Sequence, residues 1–370
     1  MSGFVRWDGI WVQKNKNLNI FVKEECVMLQ KQFENFFNEI RIDTETAALI
    51  EKREILQKDI EDKLPGILED HNIELNKSDI RMIDQGSYKY NTTIKSDVVD
   101  RDVAVMIPLD TAKNSDPRKI KGYLKDAITI PQRTVEIKEP CVRASYHRNN
   151  VEYLHIDLPL YAKNDGMVYL ARGKATSSNY SWENADPDGL NEYLCNHING
   201  HDQLRRIICY IKKWKNEKYA NASSDHQVPP SIGLTLLACE YFSNQVDIQG
   251  KDDDLKALKL TMEIIKDKFS CSYDADGNII SADIRCSLPV IPYSDVFQKM
   301  RDSSSEYLLT FYRRLSTAVD KLTNALNCSD EHDAAVYVQA VLGDDFEVPD
   351  KVNKASAAVG LFSKKEHSFG

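Results

Sequence analysis

No stretch of this chain stays apolar long enough to cross a membrane. Its first residues, MSGFVRWDGIWVQKNKN, carry no signal-peptide pattern. Both absences point to a cytoplasmic setting. The eight cysteines (Cys26, Cys141, Cys195, Cys209, Cys239, Cys271, Cys286 and Cys328) are scattered, with no C-x-x-C pair. That spacing argues against a disulfide framework and for reduced thiols. Cys195, His197 and His201 do cluster, but Gly200 interrupts the helical face a zinc site would need. Positive charge is also in short supply. The net charge of −9 speaks against broad nucleic-acid binding. No internal repeat is visible. What remains is an ordinary globular composition, 42% hydrophobic and 28% charged over 370 residues, enough for two lobes and a large core.

The chemistry concentrates in Gln85 to Asp102, QGSYKYNTTIKSDVVDRD. Ile80 to Ile83 reads as a short strand, and Gly86-Ser87 follows it. A glycine lets the backbone turn sharply and approach a ligand. A helix opening at Ser87 and running to Tyr90 would turn free N–H groups toward a phosphate. A second strand spans Val98 to Ile107. Side chains alternate faces along a strand, so Asp100 and Asp102 share one face and Arg101 takes the other. Adjacent carboxylates repel, and a divalent cation is the usual remedy. A third acid, Asp157, sits inside the apolar β-prone run Val151 to Tyr161, VEYLHIDLPLY. An acid there needs a partner or a metal. If that run lies beside Val98–Ile107, three carboxylates converge near a phosphate-binding turn. Two-metal phosphoryl transfer needs such a set, with the ions about 3.5–4 Å apart.

Gly86-Ser87, Asp100-x-Asp102 and the distant Asp157 resemble the pattern of the nucleotidyltransferase superfamily. QGSYKY, HIDLPLYA, the Lys-x-Trp of IKKW and the following PSIGL narrow the resemblance to the bacterial CD-NTases, relatives of cyclic GMP–AMP synthase and oligoadenylate synthase. It runs from about Arg81 to about Val348. The implied fold is α+β: a two-lobed nucleotidyltransferase with a mixed-sheet catalytic lobe and a helical lobe, braced by long N-terminal helices. The implied activity joins NTPs, ATP among them, into a cyclic oligonucleotide second messenger with release of pyrophosphate. The implied cofactor is Mg²⁺, or Mn²⁺, on Asp100, Asp102 and Asp157, with Asp157 as likewise the proton acceptor. Ser87 and adjacent amides would hold the donor triphosphate, flanked by Gln85 and Tyr90, with Lys212 and Ser231 contacting its phosphates. Arg143, on the strand expected to pair with that of Asp157, is a further phosphate candidate. The family's setting is anti-phage defence, in which the messenger activates a downstream effector. Some members are conjugated at the C-terminus by a ubiquitin-like transfer system, and the tail here ends in Gly370.

The remaining pattern yields four segments. Residues 1–78 read as an N-terminal helical brace: one helix from residue 18, then a second capped by Asp43 or Thr44, with a kink or break at Pro65. Residues 79–187 read as the catalytic lobe. Its helix is Arg118–Ile130, its strands Thr134–Lys138, Cys141–Tyr146, Val151–Leu160 and Met167–Ala171. It closes on a polar loop, 173–187. Residues 188–349 read as a helical lobe, with helices at 188–196, 201–219, 230–246, 252–269, 304–326 and 330–342. An irregular stretch at 271–292 interrupts them. Residues 350–370 read as a flexible tail.

Each candidate has a plainer reading. Tyr90 suits a core tyrosine as well as a base contact. Arg101 reads as structural, with a partner expected on the far side of the sheet. Ser294 before Asp295 reads as a helix cap. Two other functions use the same residues. A template-independent RNA nucleotidyltransferase of the CCA-adding, poly(A) or oligoadenylate type would also need a basic groove, which −9 disfavours. A catalytically dead scaffold would have lost a metal ligand, and all three acids stand. Synthesis is therefore expected without nucleic acid.

Overall fold

The computed structural model describes residues 4–7, 10–13, 28–42, 47–96 and 98–351. The expected helix start at residue 18, the Asp43 or Thr44 cap, Asp97 and the tail from 352 lie outside them. The chain opens with an antiparallel pair, β1 (Phe4–Trp7) and β2 (Ile10–Gln13). Two helices follow, α1 (Gln30–Ile40) and α2 (Ala47–Glu69). Of the kink or break expected at Pro65, the break does not occur: α2 runs through it. Leu56, Ile60, Leu64 and Leu68 form one buried row along the helix. That packing outweighs the single hydrogen bond a proline removes.

Next come β3 (Arg81–Gln85), α3 (Gly86–Lys89), β4 (Val99–Pro108), α4 (Pro117–Ile128), β5 (Thr134–Ile137) and β6 (Val142–Arg148). They continue into β7 (Val151–Leu158), β8 (Leu160–Asn164), β9 (Met167–Arg172) and β10 (Ser181–Asn184). These strands form an eight-stranded mixed sheet, ordered β10-β9-β8-β4-β7-β6-β5, with β3 pairing β4. The expected single strand Val151–Leu160 is divided at Pro159, which has no N–H to give the ladder. Register survives the break: Val99 lies opposite Leu154 and Val105 opposite Leu160, both parallel. β10 is a strand inside the segment read as a loop.

The second half holds α5 (Pro187–Ile198), α6 (Asp202–Tyr219), α7 (Ser231–Tyr241), α8 (Asp254–Asp267), β11 (Ser270–Tyr273) and β12 (Ile279–Asp283). It ends with α9 (Gln298–Ser303), α10 (Ser305–Leu326) and α11 (Glu331–Leu342). The β11–β12 hairpin corrects the irregular reading of 271–292. Asp274 caps its turn through the Asp276 and Asn278 amides, and Gly277 takes φ 82°. Ser294 caps no helix. Asp295 instead accepts from the Cys286 and Phe297 amides and pairs with Arg301 at 2.6 Å.

Two hydrophobic cores set the architecture. One gathers the sheet face bearing Val103, Val105 and Ile107 with α4 and with α2. The other gathers α5 to α8, α10 and α11 with α1, whose Phe33 and Phe36 pack on Tyr210 and Phe346. The N-terminal pair is thus split, α1 with the helices and α2 with the sheet, rather than lying wholly behind the sheet. Burial of both apolar faces is what holds each helix in place.

Candidate active site

Strand parity decides which side chains meet. On β4, Val103, Val105 and Ile107 enter the core with α2 and α4. Ala104 and Met106 therefore face the other way, toward Tyr161 and Leu170, and Asp100 and Asp102 share that parity. Arg101 takes the core side. It is 3% exposed and donates to the Leu49 carbonyl at 3.0 Å and to Asp84 at 2.8 Å. Its guanidinium also lies 3.9 Å from the Tyr88 ring centre. The structural role read for it holds.

β7 runs parallel to β4 with Asp100 opposite His155 and Asp102 opposite Asp157. β6 continues the array, with Ser145 opposite His155 and Arg143 opposite Asp157. Gln85 on β3 lies opposite Asp102 on the other edge. The three acids are therefore brought together on adjacent strands.

Two of the acids carry cationic partners. Arg143 grips Asp157 with two hydrogen bonds of 2.7 Å. It was read as a phosphate candidate, and here its guanidinium is turned onto the acid. His155 Nε2 lies 3.0 Å from Asp100 Oδ1, which holds the imidazole proton more tightly than usual. Asp102 has neither partner. Burial, with the charges of Asp100 and Asp157, pushes its carboxyl up to about 7 despite the pull of Arg143 and His155. Its oxygens press on the turn before α3. A Cβ at Gly86 would stand 2.1 Å from Asp102 Oδ2, and Gly86 has φ 65°. Only glycine fits there.

A divalent cation suits this donor set. Asp100, His155 and Asp157 each offer a ligand atom, all within 4.8 Å of one another, and Asp102 is a carboxylate in need of positive charge.

The sheet forms one wall of a cavity of about 510 Å³. Gln85, Gly86, Ser87, Tyr90, Asp100 and Asp102 line that side, and Lys212, Lys215, Asn216 and Ser231 line the helical side. Asp157 and Arg143, on the neighbouring strands β7 and β6, do not line it. Ser87 Oγ bonds Thr93 Oγ1 at 3.0 Å. Tyr90 is buried as a core tyrosine would be, its hydroxyl donates to Asn191 of α5, and it also lines the cavity. Lys212 is 6% exposed and reaches across from α6 to the Thr92 carbonyl and hydroxyl at 3.0 and 3.2 Å. Burial lowers its ammonium to about 8.

Sequence reasoning passed over two residues of this array. His155 stands two residues before Asp157 on the same strand face, and that spacing was a readable signal. Lys215 follows Lys212 by nearly one helical turn. It lines the cavity and donates to Ser231 Oγ at 2.8 Å.

Residues 80–161 match the family model of the cyclic GMP–AMP synthase DncV-like nucleotidyltransferase domain. That span runs from β3 to β8 and includes all three acids. Structural likeness extends further. The Vibrio cholerae DncV cyclic AMP–GMP synthase bound to nonhydrolysable GTP aligns with a TM-score of 0.64 at 16% identity, covering 88% of this chain and 100% of that one. The same enzyme with the linear intermediate 5′ pppA(3′,5′)pG gives 0.62 at 16% identity, covering 85% and 97%. Its form bound to 3′-deoxy ATP gives 0.64 at 16% identity, covering 86% and 96%. At this identity the likeness establishes the two-lobed nucleotidyltransferase fold. No curated protein matches the chain in sequence.

Proposed function

We propose that this protein joins nucleoside triphosphates, ATP among them, into a cyclic di- or oligonucleotide with release of pyrophosphate. The observation that carries this reading is the two-sided cavity, with acids on the sheet wall and ammonium groups on the helix wall. A triphosphate bound with divalent cations is complementary to both. In this reading Gly86 and Ser87 approach the donor phosphates, Lys212 and Lys215 neutralise them from the helical lobe, and the Ser231 hydroxyl adds a hydrogen bond. Asp100, Asp102 and Asp157 would hold Mg²⁺ or Mn²⁺, which supplies charge neutralisation and lowers the pKa of the attacking ribose hydroxyl. Asp157 would take the hydroxyl proton, which requires that Arg143 first release it toward the bound nucleotide. Tyr90 and Asn191 fix the floor between the lobes.

The linear intermediate bound by Vibrio cholerae DncV suggests two successive transfers in one cavity, the second closing the ring. By the same resemblance the product would act as a messenger on a downstream effector in defence against phage. Conjugation of the tail to a ubiquitin-like partner belongs to this proposal too.

The test is incubation with four labelled NTPs and Mg²⁺ or Mn²⁺, phosphatase treatment, and mass analysis of what survives. A small protected product is expected, formed equally with nuclease present. A ladder of extended products would instead favour RNA nucleotidyl transfer, and no transfer with any NTP would favour the scaffold reading.

A further inference from the structure

The side chain that the phosphoryl-transfer reading leaves over is His155. It belongs to none of the three acid positions, yet its Nε2 faces Asp100 Oδ1 at 3.0 Å. Two ligands at neighbouring corners of an octahedral ion, each about 2.1 Å from the metal, stand about 3.0 Å apart. The pair thus already has the separation of adjacent metal ligands. Nothing behind His155 pulls it elsewhere. Its Nδ1 lies 3.1 Å from Glu152 Oε1, and Glu152 is itself hydrogen-bonded by Ser145, whose backbone lies opposite His155 on β6. A carboxylate on the far nitrogen is the usual support of a metal-bound histidine. It fixes the tautomer with Nδ1–H, so that the incoming ion displaces the Nε2 proton shared with Asp100, which passes to solvent, and takes the lone pair left there. His155 is also held firmly, its side chain being 14% exposed.

We propose that His155 is a nitrogen ligand of the ion held by Asp100 and Asp157, positioned by Glu152, and that it biases this centre toward Mn²⁺ over Mg²⁺. The chemical reason is donor type. Mg²⁺ is a hard ion that takes oxygen and keeps its water, whereas first-row transition ions accept imidazole readily. An all-carboxylate centre has little basis for this choice, and one imidazole supplies it. The inference rests on the reading of the acids as a metal centre, so its test must separate the two.

The experiment uses the full chain. Mn²⁺ and Mg²⁺ affinities are measured by calorimetry, alone and with a nonhydrolysable ATP analogue, for the wild type, His155→Ala, His155→Gln, Glu152→Gln and Asp102→Asn. Three-pulse electron spin-echo spectra are recorded on Mn²⁺ with ¹⁵N-labelled protein, and a thermal melt checks that each variant folds. The wild type should give a ¹⁵N coupling to Mn²⁺ that both His155 variants lose. Removing the imidazole should weaken Mn²⁺ about tenfold or more and Mg²⁺ less than about threefold, with Glu152→Gln between. No ¹⁵N coupling in the wild type, or equal losses for both ions, would overturn the proposal and leave His155 a structural partner of Asp100. If Asp102→Asn also leaves binding of both ions untouched, the metal-centre reading itself fails.

Discussion

The two walls of the cavity are built on opposite plans. The sheet wall places acids of one sign on neighbouring strands and gives some of them ionic partners, Arg143 for Asp157 and His155 for Asp100. The helix wall buries ammonium groups against neutral partners only, Thr92 for Lys212 and Ser231 for Lys215. The consequences mirror each other. Asp102 is held up near 7, toward its neutral form, and Lys212 is held down near 8, also toward its neutral form. Each wall lacks the charge that a metal-bound triphosphate brings. Asp102 and Asp100 do pull on the Lys212 ammonium across the cavity, but too weakly to outweigh its burial. At Asp102 and Lys212 the cleft is thus electrostatically incomplete, whereas the Arg143–Asp157 pair is already satisfied.

The largest effect that tests this comparison is on the acids. Asp102→Asn and Asp100→Asn should each lower product formation by about a thousandfold or more at millimolar Mg²⁺, while the fold persists. The cation these acids would hold neutralises developing phosphoryl charge, which is worth several kcal/mol. Turnover within about tenfold of wild type in either variant would remove these acids from the chemistry.

The helix wall should respond less. Lys212→Ala removes a charge-assisted contact worth about 1.5–3 kcal/mol, so kcat/KM should fall about ten- to a hundredfold. Lys213→Ala is the control one residue on. Its ammonium is spent on Glu217 at 2.7 Å and Asp345 at 2.6 Å, so kinetics should not change. A crippled Lys213→Ala beside a normal Lys212→Ala would shift the phosphate contact on α6 by one residue.

How far these walls were legible in the sequence follows from the distances involved. Asp100 and Asp102 were readable because strand alternation is a local rule, and Gly86-Ser87 because a turn is local as well. Asp157 was readable as a costly acid in an apolar run. The Arg143–Asp157 pair could not be read, since it depends on which residues of β6 and β7 stand opposite each other. Lys212 was found through resemblance, but its hold on Thr92 joins residues far apart in sequence. At Pro65 the local penalty left a break open, and the packing that keeps α2 continuous is supplied only by the fold. The β11–β12 turn was missed although Asp274 to Asn278, DADGN, is a local turn signal.

A smaller effect concerns pH. Burial holds the folded carboxyl of Asp102 up to about 7, against an ordinary value of 3.8. The unfolded chain ionises first, so this group lowers stability as pH rises from about 4 to about 7. Lys212 titrates near 8, against 10.5. Here the unfolded chain stays protonated longer, so stability returns as pH rises from about 8 to about 10.5. Without divalent ions the two groups together impose a stability minimum between pH 7 and 8. In denaturant titrations, Asp102→Asn should flatten the acid limb and Lys212→Met the alkaline limb. Limbs unchanged in both variants would show that the walls do not carry this strain.

The smallest expected effect lies at the rim, where the two lobes meet directly. Arg81 of β3 pairs with Asp188 of α5 through contacts of 2.6 and 2.9 Å. The geometry is bidentate, yet both side chains are about half in water, at 56% and 49% exposure. Solvent screening and the entropy of two held side chains reduce such pairs to about 0–1 kcal/mol. By contrast Tyr90 to Asn191 and Lys212 to Thr92 join the same lobes from buried positions. If the buried ties set the closed arrangement, a double-mutant cycle on Arg81→Ala and Asp188→Ala should give a coupling below about 1 kcal/mol, fading further in salt. The same cycle on Tyr90→Phe and Asn191→Ala should exceed it and resist salt. A larger, salt-sensitive coupling at the rim would mean that surface charge, rather than the cavity floor, holds the two walls face to face.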